Sequence, residues 1–461
     1  MAIDHRELAG TARTCAIIRA GARDPGAGLE SGGVATAVLA PEQLARPRWL
    51  VIAERLPRPD ESSGSCRFLA ILAQLACRAD VDLWVELDER EGPTSLPAAR
   101  VAADRRRLED LGVRVLSCRW RALRQALRCR YDAVFFEFYH VAARYLRAVR
   151  DEQPTAVLVV DSVDVHYARL AAGVAVGAVD PAWARQVYDD ETATYRAADA
   201  VVVVSSGDIG VLGCEPGMPD LVCVPNCVTI RPRPAIARAP EAIFVGHFHH
   251  APNLDGVRWF VREGWPRVRQ RHAGARLTVI GSYAGAEVHA LGDVPGVDVV
   301  GYVPELQPYL DRAAVAVAPL RFGAGMKGKV TDALAAGLPV VTTSIGAQGL
   351  EIVHGRHAWV ADDATAFADA VADVLADPAA AAVVGAAGQA YIDGICGPEA
   401  VGTAVDRLLR VPARAPAVPS ASGLVRRLRL ARLGVEQRWL TWGRRVAGWQ
   451  SRRPGLTGAA P

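Results

Sequence analysis

The segment with the clearest chemical content is Pro319-Leu-Arg-Phe-Gly-Ala-Gly-Met-Lys-Gly-Lys-Val-Thr-Asp-Ala-Leu-Ala-Ala-Gly-Leu-Pro. Lys and Arg together number 53, yet only Lys327 and Lys329 are lysine. Lysine is a compact point charge and arginine a planar fork, so two lysines side by side in an arginine chain mark a place that takes one and not the other. An apolar run ends at Leu320, a loop with Gly323 and Gly325 follows, and a helix opens near Lys327 and stops at Gly337, with Pro339 just beyond. Free N–H groups at a helix N-terminus attract an anion, glycines let it approach the backbone, and a first-turn lysine adds a full charge. Lys327 and Lys329 lie about 200° apart around a helix, so Lys327 must reach from the loop edge. Lys329 and Asp332 share a face. They form either a surface ion pair worth under about 1 kcal/mol or a cation and a carboxylate aimed at one ligand.

The elements that must position these residues are readable from period and composition. Apolar, β-branched runs at 49–54, 81–87, 113–116, 133–138, 156–161 and 200–205 alternate with amphipathic stretches at 66–79, 101–112 and 184–200. The pattern restarts with runs at 242–246, 276–281, 297–303, 314–320 and 339–344, and with helical stretches at 254–271, 328–337 and 364–377. Continuous apolar strands alternating with helices predict an α/β chain whose parallel sheets are covered on both faces. The expected order is an N-terminal extension over 1–47, a first domain over 48–226, a proline-bearing connector over 227–240, a second domain over 241–410, and a tail over 411–461. No run of about 18 uninterrupted apolar residues suggests a membrane span, and residues 1–21 lack a secretory signal pattern.

With 461 residues, a hydrophobic share of 51% and a net charge of +3, the chain reads as globular, with no whole-molecule argument for nucleic-acid binding. The nine cysteines include no CxxC pair and read as free thiols in a reducing compartment. Residues 424–453 carry nine arginines, three tryptophans and one acid, Glu436. A helix of that composition suits peripheral contact with an anionic membrane; the alternatives are a terminal helix packed on the domains and a solvated tail.

Several segments in order resemble the family 4 glycosyltransferases, also called group 1, of the GT-B fold: Phe244-Val-Gly-His-Phe with Pro252-Asn-Leu-Asp, Leu277-Thr-Val-Ile-Gly, Val300-Gly-Tyr-Val-Pro, the lysine segment, and Gly346-Ala-Gln-Gly-Leu. The lysine segment resembles a Gly-x-Gly-x-Lys-x-Lys variant of that family. The resemblance implies two Rossmann-like domains whose parallel sheets face each other across a cleft. It implies retaining transfer of a sugar from a nucleoside diphosphate sugar, a co-substrate rather than a cofactor, with no catalytic metal. Lys327 and Lys329 would neutralise the donor diphosphate as it leaves. Asp332 falls where the family usually has a glutamate that holds the ribose hydroxyls. The family's earlier glutamate falls at Ala324, and Gln348 stands where an acid is common.

The remaining candidates come partly from the resemblance and partly from their places after strands. Gly246 ends the first strand of the donor domain, and Gly64 and Ser65 lie on a loop facing the diphosphate across the cleft. Directly after the run at 156–161, Asp161, Asp164 and His166 occupy a strand's C-terminal end, where clefts form. His166 would hydrogen-bond the transferred sugar or the acceptor, and Asp161 or Asp164 would position it. Glu137 is a further cleft residue. His247, His249 and His250 follow another strand without metal-site spacing. The expected enzyme is a cytoplasmic hexosyltransferase at the inner face of the membrane, acting on a glycan or lipid-linked saccharide in cell-envelope polysaccharide synthesis. The competing readings are a nucleotide-sugar epimerase and a non-catalytic nucleotide-sugar binding protein.

Overall fold

The computed structural model describes residues 46–437 apart from 61–62, 88–95, 176–178, 235–238, 324, 415–424, 427 and 435. The first sheet contains β1 (Arg48–Ala53), β2 (Asp80–Val85), β3 (Val113–Val115), β4 (Ala133–Glu137), β5 (Val157–Asp161), β6 (Ala200–Val203) and β7 (Asp220–Cys223), in the order β3-β2-β1-β4-β5-β6-β7. Its helices are α1 (Ser63–Arg78), α2 (Ala98–Asp110), α3 (Trp120–Ala126), α4 (Tyr139–Glu152), α5 (His166–Ala175), α6 (Pro181–Arg196) and α7 (Ser206–Gly213). The second sheet contains β8 (Glu241–Val245), β9 (Arg276–Ile280), β10 (Val297–Gly301), β11 (Val315–Ala318), β12 (Val340–Thr342) and β13 (Trp359–Val360), in the order β10-β9-β8-β11-β12-β13. Around it lie α8 (Ala251–Trp259), which runs through a π turn into α9 (Trp265–Arg271), then α10 (Ala286–His289), α11 (Gln307–Arg312), α12 (Gly328–Ala335), α13 (Ala364–Ala376), α14 (Pro378–Cys396) and α15 (Pro398–Leu408).

All strand pairings are parallel. Alternate residues feed opposite cores, as burial on both faces requires. Val51, Leu83, Phe135 and Val159 pack on the face covered by α1, while Leu50, Ile52, Val134, Phe136 and Val160 pack on the face covered by α3 and α4. Two strands are missing from the sequence reading. β7 (DLVC) is short and bracketed by Pro219 and Pro225, and β13 has two residues, too few for any period. Helix α15 packs in the core of the first domain, with Val401, Ala404, Val405 and Leu408 in the α1 cluster and Asp406 paired with Arg78 at 2.5 Å. The chain therefore crosses between domains twice, along the extended connector before β8 and again at Gly397. The stretch Pro378–Leu408 is long and apolar enough, by length and composition, to cross a membrane, contrary to the reading of the sequence. Gly397 interrupts it, and the wholly buried Val401 and Val405 show that α15 serves the core.

Cys77 is disulfide-bonded, which corrects the expectation of free thiols throughout. The other seven described cysteines are free. The described part of the tail packs on the first domain. Arg426 pairs with Glu152, Arg429 with Asp151, and Leu433 enters the α3–α4 cluster.

One buried ion pair ties the elements of the first domain together beneath the cleft. Arg67 of α1 donates from Nη1 to both carboxylate oxygens of Asp161 at 2.9 and 2.7 Å, and from Nε to the Val224 carbonyl. Both side chains are essentially inaccessible. Asp161 thus anchors the sheet rather than facing a ligand, contrary to its assignment to the cleft. Asp161→Asn should cost about 3–5 kcal/mol, because it leaves a buried guanidinium without its counter-charge. A urea denaturation midpoint that matches the parent would contradict this role.

Candidate active site

Strand order reverses between β1 and β4 in the first sheet and between β8 and β11 in the second. Ligand crevices open at such switch points, beyond the C-terminal ends of the strands. The loop after β11 carries the lysines. Gly323 and Gly325 have φ of 142° and 69°, a left-handed backbone that a side chain would strain. Lys327 stands with extended backbone just before α12, and Lys329 lies in the first turn, so the loop resolves the spacing problem noted in the sequence. Lys327 Nζ donates to the Gly325 carbonyl at 2.5 Å. Lys329 Nζ donates to Asn253 Oδ1 and sits 4.7 Å from the centre of the Phe244 ring.

Lys329 and Asp332 do not pair, which removes the reading of a surface ion pair. Among the described residues, Asp332 has neither a hydrogen-bond nor an ion-pair partner. Desolvation displaces all three groups toward their neutral forms. The Lys327 ammonium falls to about 8 and Lys329 to about 7, the latter also through repulsion by Lys327, while the Asp332 carboxyl rises to about 7. The site is thus a partly buried set of charges in which the Lys329 ammonium has no partner anion among the described residues. A diphosphate would supply that anion and a diol would supply donors for the carboxylate.

The loop after β8 shapes the floor. A Cβ on Gly246 would lie 2.9 Å from the Phe244 ring and 3.2 Å from Asn253 Cβ, so glycine lets both side chains close on Lys329. The Asn253 amide donates to the His247 carbonyl at 2.8 Å, which fixes its oxygen toward the ammonium. Asn253 lies in the Pro252-Asn-Leu-Asp segment but received no role from sequence; only the fold brings it to Lys329. His250 is held below its usual value by burial and by the nearby charge of Lys329. The rings of His247 and His249 pack on Tyr283 at 4.9 and 4.0 Å, and no cluster of metal-ligating side chains occurs among the described residues.

The first domain closes over this loop. A Cβ on Gly328 would lie 3.0 Å from Ser63 Cβ, so the N-terminus of α1, with Gly64 and Ser65 in its first turn, abuts that of α12. Two helix N-termini then face one crevice and add their positive ends. A Cβ on Gly325 would lie 3.8 Å from Asp164 Oδ1. Asp164 pairs with Arg169 at 2.6 Å, a cleft-side arginine that the sequence did not single out. His166 opens α5; its Nδ1 is 2.9 Å from the Asp164 carbonyl oxygen and its ring meets Tyr139 edge-on. The buried Glu191 carboxylate accepts the backbone N–H groups of His166 and Tyr167 and holds this turn in place. Glu137 lies beside Asp161 in register, buried and with no hydrogen bond among the described residues. Burial pushes its carboxyl well above the usual range, and the charges of Asp161 and Glu54 add to this. Phe138 and Val163 follow β4 and β5 with φ of 69° and 55°, strained turns that aim these loops at the cleft. On the hinge side, a cavity of about 620 Å³ lies between the domains, lined by residues including Ser205, Met326, Glu351 and Arg407.

Lys329 titrates below its ordinary 10.5, so the folded state binds fewer protons and stability rises from about pH 7 toward that value. Asp332 titrates above its ordinary 3.8, so stability falls as pH rises toward 7. Together these groups make the unliganded protein least stable near neutrality. Lys329→Met should therefore raise stability by about 1 kcal/mol and flatten the alkaline rise in thermal midpoint. A variant that melts lower than the parent at pH 7 would refute the account.

Residues 239–377 match the model of a family described as glycosyl transferases group 1. Glycogen synthase of Mycobacterium tuberculosis is 30% identical over 231 residues, which cover 46% of this chain and 53% of that protein. An uncharacterized 44.6 kDa protein in a cps region of Klebsiella pneumoniae is 29% identical over 136 residues, 28% of this chain and 35% of that one. The chain thus spans about half or less of these relatives. Sucrose-phosphate synthase of Thermosynechococcus elongatus superposes with a TM-score of 0.57 at 16% identity over 79% of this chain and 98% of that structure. HepE of Anabaena, solved with UDP, gives 0.57 at 12% identity over 78% and 99%. The second domain accordingly carries the sequence signature of the group 1 glycosyltransferases, and the two domains together form the GT-B fold.

Proposed function

We propose that this chain is a retaining glycosyltransferase of the cytoplasm that moves a sugar from a nucleoside diphosphate sugar to a glycan or lipid-linked saccharide of the cell envelope. The observation that carries the reading is the pair of desolvated ammoniums at the N-terminus of α12, with the unpartnered Asp332 carboxylate on the same helix. In this reading the diphosphate lies over Lys327, Lys329 and the facing first turn of α1. As the bond from the anomeric carbon to the diphosphate breaks, the departing charge meets ammoniums and N–H dipoles already in place, the form of stabilisation that lowers a barrier most. Asp332 accepts hydrogen bonds from the ribose hydroxyls. His166 and Asp164 approach from the first domain and orient sugar and acceptor, whose oxygen forms the new bond. The lysines provide the charge that a divalent cation would otherwise supply, so a chelator is expected to leave turnover intact.

Calorimetric titration with a panel of nucleoside diphosphates and their sugars, beginning with UDP, tests the donor site. Lys327→Ala, Lys329→Ala and Asp332→Ala should each weaken binding roughly 10- to 150-fold, the loss of one charge-assisted contact of about 1.5–3 kcal/mol. Affinity should fall as pH rises through about 7 to 8, where the free ammoniums lose their protons. The reading fails if no nucleotide binds the folded protein, or if all three variants bind like the parent. Donor incubated alone should survive apart from slow hydrolysis; its conversion to an epimer would replace transfer by epimerisation.

A further inference from the structure

Most arginines around the first domain are paired: Arg78 with Asp406, Arg114 with Asp82, Arg144 with Glu86, and Arg150 with Asp199. Helix α3 departs from this rule. Arg119, Arg121, Arg124, Arg128 and Arg130 lie within and around it, all exposed and none in an ion pair among the described residues. No acid interrupts 117–131. Arg121, Arg124, Gln125 and Arg128 follow an i, i+3, i+4, i+7 stripe on the side away from the buried Leu123, Ala126 and Leu127. A stripe of unpaired like charges costs self-repulsion, so it implies an anionic partner.

The tail adjoins this face. A Cβ on Gly434 would lie 2.6 Å from Trp120 Nε1, and Gln437 donates to the Cys118 carbonyl at 2.8 Å, one residue before Arg119. Val425 and Leu428 on the same segment are 44% and 61% exposed. Beyond Gln437 the sequence adds five arginines and three tryptophans without an acid. We propose that the arginine face of α3, with the exposed Val425 and Leu428 of the adjoining segment, docks the first domain on the surface of an anionic lipid bilayer. Exposed leucine and valine beside arginine, with tryptophans close by in sequence, suit the boundary between headgroups and acyl chains; a nucleic-acid backbone would use the arginines alone. The inference does not depend on the glycosyl-transfer reading, since none of these residues contributes to the nucleotide site.

Co-sedimentation of the full chain with phosphatidylcholine vesicles, with and without phosphatidylglycerol, tests it. Binding is expected on the mixed vesicles only and should weaken with salt. Arg121→Gln, Arg124→Gln and Arg128→Gln should each reduce partitioning roughly fivefold, with unchanged thermal midpoint and nucleotide binding. Arg444→Gln with Arg445→Gln, made in the full chain, separates the tail's share from that of α3. Equal binding to neutral vesicles would overturn the proposal. So would an α3 triple variant that binds like the parent, or duplex DNA that displaces the vesicles at equal phosphate.

Discussion

Charge held out of water without its counter-charge is the constraint from which the geometry of this protein follows. The second lysine of the pair is bonded to a neutral amide oxygen and lies over an aromatic ring, and no carboxylate among the described residues completes it. Burying an ammonium this way is unfavourable, and the surrounding elements make it tolerable. The glycine at 246 admits Phe244 and Asn253, the His247 carbonyl orients the asparagine, and the helix α12 begins where its N–H groups reinforce affinity for an anion. A structure that spends stability here is prepared for a ligand that returns it.

The first domain solves the opposite problem. Glu137 apart, the buried charges named in it are matched: Arg67 with Asp161, Tyr195 and two backbone N–H groups with Glu191, Arg150 with Asp199. The Arg67 and Glu191 contacts lie at the C-terminal ends of the strands or just beyond and fix the turns that face the lysine loop, while Arg150 and Asp199 pair at the N-terminal ends of β5 and β6. Compensated charges fix the first domain, whereas Lys329 has no anionic partner among the described residues. The two sets meet where α1 and α12 point their N-termini at one another. Two chain crossings, at the connector before β8 and at Gly397, join the domains on the hinge side.

Within the family signature the chain has its own features. Asp332 has neither a hydrogen-bond nor an ion-pair partner among the described residues. Ala324 lies outside the described residues.

The alternation of apolar runs with helical stretches determined two parallel sheets, because a strand buried on both faces has no polar side to show. Glycine and lysine types pointed to the loop after β11, because left-handed backbone and point charge are properties of single residues. The shortest strands, β7 and β13, escaped because a period needs more residues than they have. Packing partners escaped for a different reason. Asp161 and Asp164 look equivalent in the sequence, yet the fold buries one against Arg67 and leaves the other at the cleft with Arg169. Asn253 reaches Lys329 across 76 positions, and α15 returns to a core whose first helix lies more than 300 positions away. Local sequence specified each group and its backbone; only tertiary structure decided which charges were paired, because pairing depends on distances that no local pattern encodes.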